Sequence, residues 1–152
     1  MTKKTSIHTQ SLEITKIILL TSKLLSFTSP KLITLFAARL FVTPIKYKIP
    51  KRESEMDRNS LQKSIRIPGI EKEVVVYEYG KSEKKILLVH GWSGRGTQLF
   101  KIADELVKAG YSTISFDAPA HGKSPGKYTI MVVFIATILE IEKQFGPFEA
   151  AI

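Results

Sequence analysis

Between Lys85 and Ile152 three short strand-like runs alternate with two stretches of helical periodicity, and that order restricts the chain to one broad class of fold. Ile86-Leu87-Leu88-Val89 is a continuous apolar run, as expected of a strand covered on both faces. Leu99, Ile102, Ala103, Leu106 and Val107 follow at helical spacing, and Gly110 is placed to close that helix. Ser112 to Phe116 reads as the next strand. Thr129 to Phe145 reads as a second, more apolar helix, stopped by Gly146-Pro147. Ala150, Ala151 and Ile152 begin a further strand, expected to be buried. Strand–helix–strand–helix–strand implies right-handed crossovers and a parallel sheet, hence an α/β fold. Two earlier runs, Lys63–Ile67 turning at Pro68-Gly69 and Glu73–Tyr79 ending at Gly80, are placed to form an antiparallel edge.

The front of the chain has a different character. Residues 11–28 carry Ile14, Ile17, Ile18, Leu24 and Leu25 at mostly helical spacing, with Ser11 a candidate N-cap. Pro30 suits the first turn of a second helix over 31–42. Residues 43–60, with Pro44, Pro50 and the mixed-charge run Lys51-Arg52-Glu53-Ser54-Glu55, read as a linker. The expected organisation is therefore a basic helical extension with its linker over 1–60 and an incomplete α/β domain over 61–152. Charge follows the same division. Residues 1–66 hold 13 Lys and Arg against 4 Asp and Glu, and residues 67–152 hold 10 of each. The whole net charge of +9 thus sits at the front.

A basic, apolar-rich segment admits two readings. The plain one is a solvated face on helices that pack elsewhere. The sharper one is interfacial attachment of residues 11–42 to a membrane surface, with Lys and Arg toward anionic headgroups. Nucleic acid is not expected, because no recognition motif accompanies the charge. A transmembrane span is not expected either. Lys16, Lys23, Lys31 and Arg39 interrupt the apolar run and Pro30 divides it. Nor is there a clear signal-peptide cleavage site. The chain has no cysteine, which excludes a disulfide framework and a thiolate nucleophile. The expected location is cytoplasmic, with membrane contact as the sharper alternative.

In an open α/β sheet, chemistry gathers at the carboxyl ends of the strands. Two informative loops fall there: His90-Gly91-Trp92-Ser93-Gly94-Arg95-Gly96 and Asp117-Ala118-Pro119-Ala120-His121-Gly122-Lys123-Ser124. The first invites comparison with a dinucleotide-binding turn, since Asp117 lies about 20 residues on, where a ribose-binding acid belongs. The glycine order is wrong, however, because the wide gap comes first. A P-loop ending in Gly122-Lys123-Ser124 needs glycine at position 117, which is Asp. Ser93 lacks G-x-S-x-G spacing, and Asp117 with His121 has no nucleophile in the right context. Arg95 reads as a surface residue near a helix start or as an anion binder. A third reading is an oxyanion loop, whose backbone N–H groups would stabilise charge on a carbonyl oxygen and whose glycines would let the backbone approach substrate.

His90-Gly91-Trp92-Ser93-Gly94 resembles the His-Gly-x-x-Gly signature of the α/β-hydrolases. Asp117-x-x-x-His121-Gly122-x-Ser124 resembles that family's turn after the next strand. Ala120 stands where glycine is usual, which argues against a left-handed backbone at that position. The resemblance covers residues 62–152, and the front segment is compatible with an N-terminal extension of some bacterial hydrolases. It implies a partial α/β-hydrolase fold and a parent serine hydrolase acting on an ester, thioester or similar small-molecule acyl substrate. Some relatives use an aspartate nucleophile instead. The Trp92 N–H is then the candidate oxyanion donor, with Gly91 and His90 supporting the loop. Asp117, His121, Gly122 and Ser124 are structural turn residues. No cofactor and no metal are implied. The nucleophile, the acid and the catalytic histidine are not among these residues, so the chain is expected to stop before the nucleophile elbow and to be inactive alone. The rival expectation is a non-catalytic fragment or a membrane-surface protein.

Overall fold

The computed structural model describes residues 15–152. It divides into two units, one ending at Arg39 and the other spanning Leu40–Ile152. The expected helix start and Ser11 cap lie outside the described residues. Helix α1 spans Lys16–Thr28 and α2 spans Pro30–Phe41. Ser29 separates them in an extended conformation, and its hydroxyl accepts the Leu32 N–H at 3.4 Å. A serine cap followed by proline at the first helical position explains why a new helix begins there. Neither helix has a buried residue.

The second unit is built on one five-stranded sheet: β1 (Leu61–Ile67), β2 (Lys72–Tyr79), β3 (Lys85–Leu88), β4 (Ser112–Asp117) and β5 (Ala150–Ala151). Their spatial order is β1-β2-β4-β3-β5. The β1–β2 and β2–β4 pairs are antiparallel, whereas β3 runs parallel to both β4 and β5. The expected antiparallel edge and parallel centre are both present. The turn between β1 and β2 is a short 3-10 segment at Pro68–Ile70, ended by Glu71 at φ 50°.

Side-chain alternation then determines which helix covers which face. Leu87, Ile114 and Phe116 pack with Phe134 and Ile141 of α5 (Met131–Phe145). Ile86 and Leu88 pack with Ala103 of α4 (Phe100–Lys108), on the other face. Every residue of β4 is buried, including Ser112, Thr113, Ser115 and Asp117. Gly110, at φ 89°, ends the α4 segment as its position suggested.

Two expectations change. Residues 43–60 are not a plain linker. Lys51–Glu53 forms a 3-10 turn and Ser54–Asn59 a short helix, α3. Glu53 and Met56 are buried there, with Met56 packed among Ile86, Leu88 and Ala103. The cause is amphipathic folding of the charged run onto the sheet. Ala150, Ala151 and Ile152 are exposed rather than buried, because β5 lies at the sheet edge with no element over it among the described residues. Ile152 nonetheless continues the pairing, accepting the Val89 N–H and donating to Leu87 O. Met131, Val132 and Leu139 on the outer face of α5 are likewise exposed.

Candidate active site

Because β3 and β4 are parallel neighbours, the loops at their carboxyl ends lie side by side. Three hydrogen bonds join them. Ala118 N–H donates to His90 Nε2 at 3.1 Å, Ser93 N–H donates to His121 Nε2 at 3.1 Å, and Gly96 N–H donates to Asp117 Oδ1 at 2.6 Å. An Nε2 that accepts requires a neutral imidazole with its proton on Nδ1. That proton points to Gly91 O in His90, at 2.7 Å, and to Pro119 O in His121, at 3.2 Å. Burial pushes the His90 pKa down to about 4, against the opposing pull of the Gly91 carbonyl. Burial also lowers that of His121, against Pro119 O. The two rings lie 4.9 Å apart, and both meet Phe134 edge-on. These histidines bind loops together in neutral form. Neither is arranged as a general base.

Asp117 is fully buried, and its carboxylate accepts from Gly96 N–H, Lys123 N–H and the Tyr77 hydroxyl at 2.6, 2.6 and 2.8 Å. Burial raises its pKa, with the three donors pulling the other way. The Tyr77 phenol is raised strongly, first by burial and then by Asp117. Asp117 therefore ties β2, the first loop and its own turn to one point. It does not pair with His121, so the two make no dyad. The chain then returns through Ala120 at φ 67° and Gly122 at φ 43°. Ala120 is thus left-handed, contrary to the expectation from its side chain. The tertiary frame holds it there, with its N–H donating to Pro125 O at 3.0 Å.

Trp92 is half-exposed. Its indole stacks on Phe41 at 6.3 Å and meets the His121 ring edge-on at 5.4 Å. Gly91 and Trp92, with Val89 and the α5 residues Phe134, Ile135 and Ile138, line a cavity of about 240 Å³. A Cβ on Gly91 would meet no atom within 4 Å, so the space beside it is open. Ser93 sits at φ 56°, and its Oγ accepts the Ile45 N–H at 3.0 Å. His121 Nε2 holds the Ser93 N–H and not its hydroxyl, so no base activates Ser93.

No family model matches the sequence, and no curated protein matches it significantly. Solved structures do match. A bromoperoxidase from Bacillus anthracis aligns with 59% of this chain and 33% of its own, at 23% identity and a TM-score of 0.52. An esterase from Pyrococcus furiosus aligns with 68% of this chain and 43% of its own, at 20% identity and a TM-score of 0.53. An esterase from Exiguobacterium antarcticum aligns with 59% and 34%, at 21% identity and a TM-score of 0.53. The chain carries part of an α/β-hydrolase fold. It spans between 33% and 43% of the length of these three proteins.

Within this α/β-hydrolase sheet the structure also gives Ser124 and Arg95 their partners and brings in Glu53 and Tyr77, which sequence reasoning passed over. Gly122-Lys123-Ser124-Pro125-Gly126 has G-x-S-x-G spacing, yet Ser124 is no nucleophile. It is fully buried, its Oγ donates to Asp117 O, and it accepts the Val75 N–H at 2.9 Å. Arg95 is neither a surface residue nor open to a substrate anion. It is buried, and its Nε donates to Glu53 Oε2 at 2.7 Å. The signal for Glu53 was faint: it is the first acid after Glu13, with the apolar Met56 three positions on. Tyr77 had no signal beyond its strand.

Proposed function

We propose that this chain supplies the charge-stabilising part of an acyl-transfer site in a serine hydrolase acting on an ester or thioester. The observation that carries the reading is the Gly91–Trp92 segment. It lies at the carboxyl end of a parallel strand, beside an open apolar cavity, in a loop held by His121 and Asp117. In this reading the acyl chain occupies the cavity and the Trp92 N–H points at the carbonyl oxygen. A preorganised donor of this kind gains strength in a water-poor site and loses no reorganisation energy during reaction. The bond-making serine, its histidine and its acid come from residues outside these 152.

Extending the reading frame past the Ile152 codon tests the proposal. A following G-x-S-x-G elbow and a chain of hydrolase length are expected, and a frame without an elbow would sink it. The purified 152-residue chain should not turn over a p-nitrophenyl ester. Robust turnover would show that the nucleophile lies within it.

A second reading concerns the front helices. Between Glu13 and Glu53 the chain has eight Lys and Arg and no acid. Ile17, Leu20, Leu24 and Phe27 form an exposed stripe on α1, beside Lys16 and Lys23. Among the described residues no helix is long and apolar enough to cross a membrane. The pattern fits a helix lying in an anionic lipid surface, each cation adding roughly 1 kcal/mol. The full chain should co-sediment with phosphatidylserine vesicles in a salt-sensitive way. The triple substitution Lys16→Glu, Lys23→Glu and Lys31→Glu should abolish this, and equal binding by both proteins would end the idea.

A further inference from the structure

We propose that Glu53 is the positioning residue of the oxyanion loop, acting through Arg95 from a strap formed by residues 41–60. The inference rests on the acyl-transfer reading for its functional meaning, but its geometry stands apart from it. The strap crosses both loops at the carboxyl ends of β3 and β4. Val42 O accepts the Thr129 N–H at 2.9 Å, the Ile45 N–H donates to Ser93 Oγ at 3.0 Å, and the Lys46 ammonium donates to Ser124 O. Phe41 lies on the Trp92 indole. At its far end Glu53 is 1% exposed, and a single oxygen, Oε2, accepts both Arg95 Nε at 2.7 Å and Thr97 Oγ1 at 2.8 Å. Arg95 Nη1 adds a contact to Tyr47 O at 3.2 Å.

Arg95 and Thr97 flank Gly96, whose N–H is held by Asp117. The loop that carries Gly91 and Trp92 is therefore held at residues 95–97 by both Asp117 and Glu53. A buried guanidinium without its carboxylate must either find water or carry the loop outward with it. Glu53 thus determines where the loop sits. It also pairs the Arg95 charge within the fold.

Trp92 is the chain's one tryptophan, so its fluorescence reports directly on the loop. Glu53→Asp keeps the charge and shortens the reach. The expected result is retained far-UV circular dichroism, a shifted Trp92 emission and increased acrylamide quenching. Glu105→Gln, which breaks the exposed pair with Lys108, should leave Trp92 unchanged. A Glu53→Asp or Glu53→Gln chain that melts earlier, yet keeps its Trp92 emission and the exchange rates of the Ser93 and Gly96 amides, would overturn the proposal. If neither variant folds, hydrogen exchange of the unaltered chain decides. The Glu53, Ser93 and Gly96 amides must open as one unit under rising denaturant, and independent opening would refute the clamp. In the whole protein Glu53→Asp should lower kcat more than it raises KM. A protein without acyl-transfer activity whose Trp92 still responds to Glu53→Asp would remove the reaction and leave the strap standing.

Discussion

The Asp117 carboxylate occupies the space that a side chain on residue 122 would need. A Cβ built on Gly122 would fall 2.3 Å from Asp117 Cγ, and the backbone there is left-handed at φ 43°. The family-like Asp…Gly pairing thus has a physical basis: the acid needs the glycine's missing side chain in order to reach three donors. Gly122→Ala should cost roughly 2–4 kcal/mol, from backbone strain and displaced carboxylate hydrogen bonds. Urea denaturation measures it. The cost should shrink in an Asp117→Ala background, because the clash partner is gone.

Ala120 presents the converse case. It holds φ 67° without being glycine. A left-handed non-glycine residue carries a strain of about 1–2 kcal/mol. Ala120→Gly should raise the unfolding free energy by about 0.5–1 kcal/mol, after glycine's entropy cost. A fall in thermal midpoint would instead mean that the buried methyl's packing outweighs the strain.

The histidine pair makes stability depend on acid. Burial pushes the His90 pKa down to about 4 in the fold, from an ordinary value of 6.5. Between those values the unfolded chain binds the proton and the folded chain does not, so stability falls as pH drops from 6.5 toward 4. The loss from His90 reaches about 3 kcal/mol, and His121 adds in the same direction. Asp117, with a raised pKa, opposes this: its protonation favours the fold below its own folded value. Denaturant melts at neutral pH and about pH 4.5 test the slope, which His90→Gln should flatten.

Gly91 separates folding from function. Its φ lies outside the left-handed region, and an added methyl would meet no atom within 4 Å. Gly91→Ala should leave stability unchanged or raised by up to about 1 kcal/mol. The methyl would project where the substrate carbonyl is proposed to sit. In the whole protein, ester kcat/KM should fall by about 10²-fold. Full activity in that variant would remove Gly91 from the site.

Legibility followed the range of the interactions. Strands β3 and β4, helix α4 with its Gly110 stop, and the β1–β2 edge were readable because period and turn chemistry act within a few residues. The two loops were readable as a pair because glycine and aspartate at chain reversals leave a compositional trace. Arg95 was misread because its partner lies 42 positions earlier, in a charged run that looks solvated. Ala120 was misread because a backbone preference of about 1–2 kcal/mol yields to a frame of buried hydrogen bonds.

The amino-acid order on its own was enough to specify an α/β sheet, the place of its two loops and their resemblance to a hydrolase. Those properties arise from local periodicity and backbone permissiveness. Three-dimensional packing alone decided which groups hold the two histidines, that Ser124 is fully buried despite its G-x-S-x-G spacing, and that Arg95 pairs with the distant Glu53. Each depends on which distant groups meet in a space that excludes water, where an unpaired charge or donor is too unfavourable to persist.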